Sequence, residues 1–356
     1  DLSSNAGTAV TSGTGSVTFD KTAPSISAIA TSALSWGAVL NATEDNSVGT
    51  VTVTTSGAED GQLVTITLNS AVYTGEVSSN TAVVTITASG LQNLTHGSTY
   101  TLTADVSDAA GNAAAQVTSS AFTVDTLVPE VNSVTATTVN GIYNSGDQIT
   151  VQIVFSQVVY VTGSATITLD TGGSGDAVSY STGSGSQYLD FVYTVGSGDT
   201  SADLGYLATN SLALVGSATI KDVNGNDATL ALPTPGATNS LADSKALVID
   251  TTVPTLSNVS IASDNTTTTL AKVADVVTLT FTASETIGTP VVTFTSGSDA
   301  ITDTSITYVS SGNTWTAKYT ADTSDTAGTV AYSIAFSDSV GNAGTAVTSG
   351  SGSVTF

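Results

Sequence analysis

The chain has 356 residues, enough for two to four domains of ordinary size, with 40% hydrophobic but only 10% charged residues. Its 29 acids face five lysines and no arginine, and the net charge of −24 repels phosphate backbones and excludes nucleic acid as a partner. Zero cysteine and a single histidine exclude disulfides, thiolate metal sites and nearly all imidazole or zinc chemistry, and no apolar run reaches the roughly 18 residues of a membrane helix, so no direct membrane insertion is expected.

Taken in chain order, the first feature is a repeat. Residues 1–19 match residues 338–356 except at Leu2/Ser339, Ser3/Val340, Ser4/Gly341 and Thr14/Ser351. Such near-identity reads as one period of a tandem array trimmed from something longer, with 1–19 as the C-terminal strand or strands of a preceding or complementing repeat. Three boundary motifs follow: Asp20-Lys-Thr-Ala-Pro24, Asp125-Thr-Leu-Val-Pro129 and Asp250-Thr-Thr-Val-Pro254, each after a short apolar run. Proline cannot continue a ladder, so each marks a strand exit. The expected modules are 20–124, 125–249 (a longer variant) and 250–356, each of immunoglobulin-domain size.

Within the modules, Val51–Thr54, Leu63–Leu68, Ile149–Phe155, Val277–Phe281 and Thr314–Tyr319 alternate aliphatic or aromatic residues with polar ones, mostly threonine, the pattern of half-buried strands. Gly, Ser and Asp clusters at 171–176 and 181–186 punctuate them at hairpin spacing, and no long helical stripe competes. The expected fold is all-β, with tandem antiparallel immunoglobulin-like β-sandwiches arranged end to end.

A third motif, D-x-x-G-N, sits late in every module: Asp108 to Asn112, Asp222 to Asn226 and Asp338 to Asn342. In a sandwich whose last strand runs to the exit linker, the loop before that strand lies where the entry linker arrives. The pairing expected is Asp20 with Asp108 and Asn112, Asp125 with Asp222 and Asn226, and Asp250 with Asp338 and Asn342. The loop after the second strand lies at the same end and holds Glu285 in the third module, Glu59 and Asp60 in the first, and Gln157 in the second. Asp45, Asp147 and Asp275 lie at the exit end and reach toward the next joint. Clustered carboxylates raise one another's pKa unless a cation neutralises them. Oxygen-only ligands of flexible geometry suit Ca2+ better than Mg2+, and the ion would stiffen each joint. The same residues also suit a plain tight hairpin, with glycine at positive φ and Asx side chains on the backbone.

Asp199, Asp203, Asp322 and Asp325 read as surface turns, His96 as an exposed turn residue, and Trp36 and Trp315 as packing aromatics. Asn41, Asn93, Asn258 and Asn265 head Asn-x-Ser/Thr sequences that could accept glycans. Catalysis is not expected, because the candidate acids recur at every joint whereas a catalytic pair would be singular.

These segments resemble the bacterial immunoglobulin-like repeats of giant extracellular adhesins, biofilm proteins and surface-layer proteins. The resemblance rests on Ala274 to Phe281 with Ser284-Glu285, on Trp315 to Tyr319, and on Ser145 to Thr150, Tyr193 to Leu204 and Ile220 to Leu230. It implies joint aspartates that bind calcium and an array that acts as a spacer at the cell surface. Gln157 departs from the glutamate usual in such repeats. Two uses fit: a calcium-stiffened stalk whose partners are adjacent repeats of its own chain, or a subunit that assembles with copies of itself into a surface layer, sheath or filament.

Overall fold

The computed structural model describes residues 17–301 and 305–356, together with Gly13 and Gly15. Most of the segment expected to act as a complementing strand therefore lies outside the described residues. Strand makes up 49% of the described residues and helix 4%, so the fold is all-β. Two compact units are present: one of residues 1–129, 157–160 and 220–229, the other of 130–156, 161–219 and 230–356.

The first unit shows how alternation becomes a sandwich. In strand Gly49–Ser56, Val51, Val53 and Thr55 point inward while Thr52, Thr54 and Ser56 face water. This strand pairs antiparallel with Ser25–Ile26 and Thr81–Ile86, and a second antiparallel sheet runs Ala71–Glu76, Leu63–Leu68, Thr103–Asp105, Val117–Thr118. Between them Val51, Val53, Val64, Ile66, Val84 and Ile86 are fully buried. Trp36 packs edge-to-face on Phe122, with ring centroids 5.4 Å apart. Gly49 is required here, because a Cβ would lie 2.7 Å from the Trp36 ring. The aromatic reading of Trp36 is thus a core one.

Next in the chain comes the sheet of Val131–Ala136, Gln148–Asp170, Asp176–Thr182 and Ser186–Thr194. Further along the chain, Leu256–Ser263, Val276–Ala283, Thr314–Thr320 and Thr307–Ser311 form one sheet, and Asp299–Ala300, Val291–Ser296, Thr329–Ala335 and Val354–Thr355 form another. Phe281, Leu279, Phe294, Tyr319 and Ile334 are buried in the core that the last two sheets share, with Trp315 packed at its margin.

Two features add detail to the expected all-β fold. Short helices occur at Ala88–Gln92 and Leu241–Ser244, each N-capped by a hydroxyl, Thr87 or Ser240, too short to leave a periodic stripe. The sheets are also not purely antiparallel. Val39–Asn41 runs parallel to Phe122–Asp125, and Gly141–Tyr143 runs parallel to Leu247–Asp250. Near its start, each of these stretches contributes a three-residue strand beside its own last strand. The register sets Asn41 opposite Asp125, and Tyr143 opposite Ile249.

Phe281 is completely buried, whereas Val309 is largely exposed. Replacing Phe281 by alanine should destabilise its sandwich by about 3–5 kcal/mol, and Val309→Ala should change it by less than about 0.5 kcal/mol. Urea titrations followed through Trp315 fluorescence check both.

Candidate metal centre at the linker aspartates

The D-x-x-G-N segments fold into one recurrent turn. Its aspartate N–H donates to the asparagine carbonyl at 3.1, 3.0 and 3.1 Å for Asp108, Asp222 and Asp338. A single bridge closes the hairpin outside each turn, at Ser107/Ala113, Lys221/Asp227 and Ser337/Ala343. Gly111, Gly225 and Gly341 sit at φ +91, +90 and +98°, a left-handed conformation that requires glycine. The plain-hairpin reading of the motif therefore describes its backbone correctly.

The side chains do more than close the turn. Asp338 Oδ1 accepts the N–H groups of Val340, Gly341 and Asn342 at 2.9, 2.8 and 2.9 Å, and Oδ2 accepts Asn342 Nδ2 at 2.7 Å. Asn342 Nδ2 also donates to the carbonyl of Asp250 at 2.9 Å. Asn226 ties Asp222 Oδ2 to the carbonyl of Asp125 in the same way at 2.8 and 3.1 Å, and Asn112 ties Asp108 Oδ2 to the carbonyl of Asp20 at 2.8 and 3.4 Å. The Asp108 carboxyl is held below its ordinary value, first by the Asn112 amide and then by backbone N–H groups. The structure thus brings together all three linker aspartates with their expected Asp and Asn partners.

Each linker aspartate makes a turn of its own, with Oδ1 accepting the N–H two residues on: Thr22 at 2.8 Å, Leu127 at 3.2 Å and Thr252 at 3.0 Å. The loop after the second strand also arrives here. Glu59 Oε2 accepts the N–H of Ala109 at 2.8 Å, beside Asp108, whereas Asp60 caps Ser79 instead. Gln157 Nε2 donates to the carbonyl of Leu127 at 2.8 Å. A bridge between Ile287 and Asp338 draws the third of these loops in. As a result Asp250, Glu285 and Asp338 each present a carboxylate oxygen within 4.8 Å of the others. This is the one such acidic group among the described residues. The donor set is all oxygen, as a hard cation requires, and no bonded donor offsets the charge of Glu285 among the described residues.

Among the described residues, neither Asp45 nor Asp147 bonds the joint that follows it, and Asp275 has no following joint to meet. Asp147 Oδ2 accepts the N–H of Asn144 at 2.9 Å, while Lys272 and Asn265 bond Asp275 at 2.6 Å each and Lys272 leads in lowering its carboxyl to about 2. Asp45 has an enclosed Oδ1 without a protein partner, and burial raises its carboxyl. The residues that do reach are neutral. Asn41 Nδ2 donates to the carbonyl of Asn224 at 3.3 Å, Ala42 N–H to Asn226 Oδ1 at 2.7 Å, and Asn144 Nδ2 to the carbonyl of Val340 at 2.6 Å. The parallel strand pairing delivers Asn41 and Asn144 beside Asp125 and Asp250, and no three-residue strand announces that in sequence.

His96 is an exposed turn residue, yet its Nδ1 accepts the N–H of Thr126 at 3.1 Å and lies 3.4 Å from Asp125 Oδ1. Asp199 is more than a surface turn, since it accepts the Tyr193 hydroxyl and the N–H of Gly196. Asp322 and Asp325 cap their own turn. Of the four potential glycan acceptors, Asn41 and Asn265 have their amide nitrogens engaged in hydrogen bonds.

Burial, then the charges of Asp250 and Asp338, raises the Glu285 carboxyl above its ordinary 4.5. A raised carboxyl supports folding fully below its unfolded value, and that support is lost as pH rises through the folded value. In chelator, Glu285→Gln should therefore melt above the wild type at pH 7, and the gap should close as pH falls below the ordinary 4.5. Thermal melts across this range read the effect.

No family model matches the sequence, and no curated protein matches it. Among solved structures it is similar to a Ca2+-stabilized adhesin with which an Antarctic bacterium binds ice, at 20% identity over 93% of this chain and 72% of that one, with a TM-score of 0.51. A 1.5-MDa bacterial ice-binding adhesin gives 18% identity, 94% and 98% coverage and a TM-score of 0.49, and an I-band fragment of titin gives 12%, 92%, 97% and 0.36. The chain thus has the immunoglobulin-like β-sandwich fold of bacterial adhesin repeats.

Proposed function

We propose that this chain is a non-catalytic structural segment of a large extracellular cell-surface protein, a calcium-stiffened spacer of three sandwich modules, 20–124, 125–249 and 250–356. The observation that carries this reading is the convergence of Asp250, Glu285 and Asp338 within 4.8 Å. Three carboxylates facing one another at a linker form an arrangement that a cation stabilises and that repels itself without one. Asp250, Glu285 and Asp338 would hold Ca2+ through carboxylate oxygen, with Asn342 fixing the Asp338 carboxylate. Asp20, Asp108 and Asn112, joined by Glu59, offer a second set of the same chemistry. Calcium takes six to eight oxygens at flexible geometry, so carbonyls and water complete such a shell.

Supporting observations agree in kind. The turn that holds the linker carbonyl recurs at Asp20, Asp125 and Asp250, as a repeated structural joint would require. Strand pairings fall within three consecutive stretches of chain, 25–125, 131–250 and 256–355. Among the described residues, no helix is long and apolar enough to cross a membrane. The similar adhesin from the Antarctic bacterium is itself Ca2+-stabilized.

Scanning calorimetry of the full chain tests the reading. An ion present at about 100 times its Kd adds about 2.7 kcal/mol to the state that binds it. Millimolar calcium should therefore raise the transition of the 250–356 stretch, and magnesium should raise it less. In calcium, Glu285→Gln should melt below the wild type, the reverse of its effect in chelator. A wild-type transition indifferent to calcium would overturn the proposal.

A further inference from the structure

The three linkers differ in what meets the carboxylate of the boundary aspartate. At Asp125 the third residue of the D-x-x-G-N turn is Asn224, and its Nδ2 donates to Asp125 Oδ2. The corresponding residues elsewhere are Ala110 and Val340, which have no side-chain donor. Asp125 Oδ1 is occupied as well, by the N–H of Leu127 at 3.2 Å. Asp222 Oδ1 accepts the N–H groups of Asn224 and Asn226, both at 2.9 Å, and its Oδ2 accepts Asn226 Nδ2 at 2.8 Å. Asn226 is fully buried, and its Oδ1, the one oxygen it could offer a cation, accepts the N–H of Ala42 at 2.7 Å. Gln157 supplies an amide donor to the linker where the third stretch places the Glu285 carboxylate.

From this bonding we infer that the Asp125 joint is closed by protein amides and needs no cation, with Asn224 as the positioning residue that meets the aspartate charge. The inference rests on the calcium reading of the Asp250 joint and sharpens it, because the two joints then respond differently to the same ion. At Asp250, three carboxylates converge and only the Thr252 N–H bonds the Asp250 carboxylate among the described residues. At Asp125, both carboxylates already have donors on each oxygen. An amide–carboxylate bond is charge-assisted and neutralises by dipole what an ion neutralises by charge. Chelation would loosen one joint and spare the other.

The chain has no cysteine, so engineered pairs label cleanly. Cysteines at Val72 and Tyr188 straddle the Asp125 linker, and cysteines at Tyr188 and Val309 straddle the Asp250 linker; all three side chains are exposed. Double electron–electron resonance on spin-labelled full chain, in millimolar calcium and in chelator, reads the distance distributions. The 72/188 distribution should be equally narrow in both conditions, while the 188/309 distribution broadens on chelation. Loss of one hydrogen bond to a charged group shifts an equilibrium about tenfold or more. Asn224→Ala should therefore raise the open fraction of the 72/188 pair by about tenfold in chelator. Broadening of the wild-type 72/188 pair on chelation, or an Asn224→Ala pair that stays narrow in chelator, would overturn the inference. A 188/309 pair indifferent to calcium would overturn the calcium reading instead, and the 72/188 results would still decide this one.

Discussion

One asparagine amide organises each linker. Its Nδ2 donates at once to the aspartate that opens its own turn and to the carbonyl of the boundary aspartate, as Asn342 does to Asp338 and Asp250. The bond matters because Asp125 and Asp250 are the last residues of their strands, where the ladder stops, and a carbonyl left unpaired there is costly. Satisfying it from the turn fixes where the linker starts and which carboxylates face one another. The positive-φ glycine and the bridge outside the turn exist to hold that asparagine in reach.

On this common frame the three linkers diverge by small changes in side chain. Glu285 brings a third carboxylate to Asp250 and Asp338, and burial, then the charges of those two, raises its own carboxyl. Glu59 approaches Asp108 but is turned to a backbone N–H. Gln157 and Asn224 replace charge by donors at Asp125. In a chain with net charge −24, each replacement changes how much like charge meets at that linker. A constant backbone turn thus carries variable electrostatics.

The chain's sequence determined the β-class, the boundary prolines and the recurrence of Asp with Asn at each linker, because strand alternation, proline's missing N–H and the turn's need for glycine are local constraints. It also identified Glu285 as a partner of Asp250 and Asp338 through the end of the sandwich at which its loop lies. What remained for tertiary structure was the approach of Asn41 and Asn144 from upstream, delivered by parallel pairings of three residues each. Pairs so short leave no period to read, and their direction depends on which sheet the segment joins. The sequence likewise singled out Asp45, Asp147 and Asp275 by charge and position, but it could not show that Lys272, Asn265 and local backbone would claim two of these acids and burial enclose the third. Whether a carboxylate faces other carboxylates or a neighbouring amide is decided by distances of a few ångströms between segments far apart in the chain, and only the folded arrangement sets them.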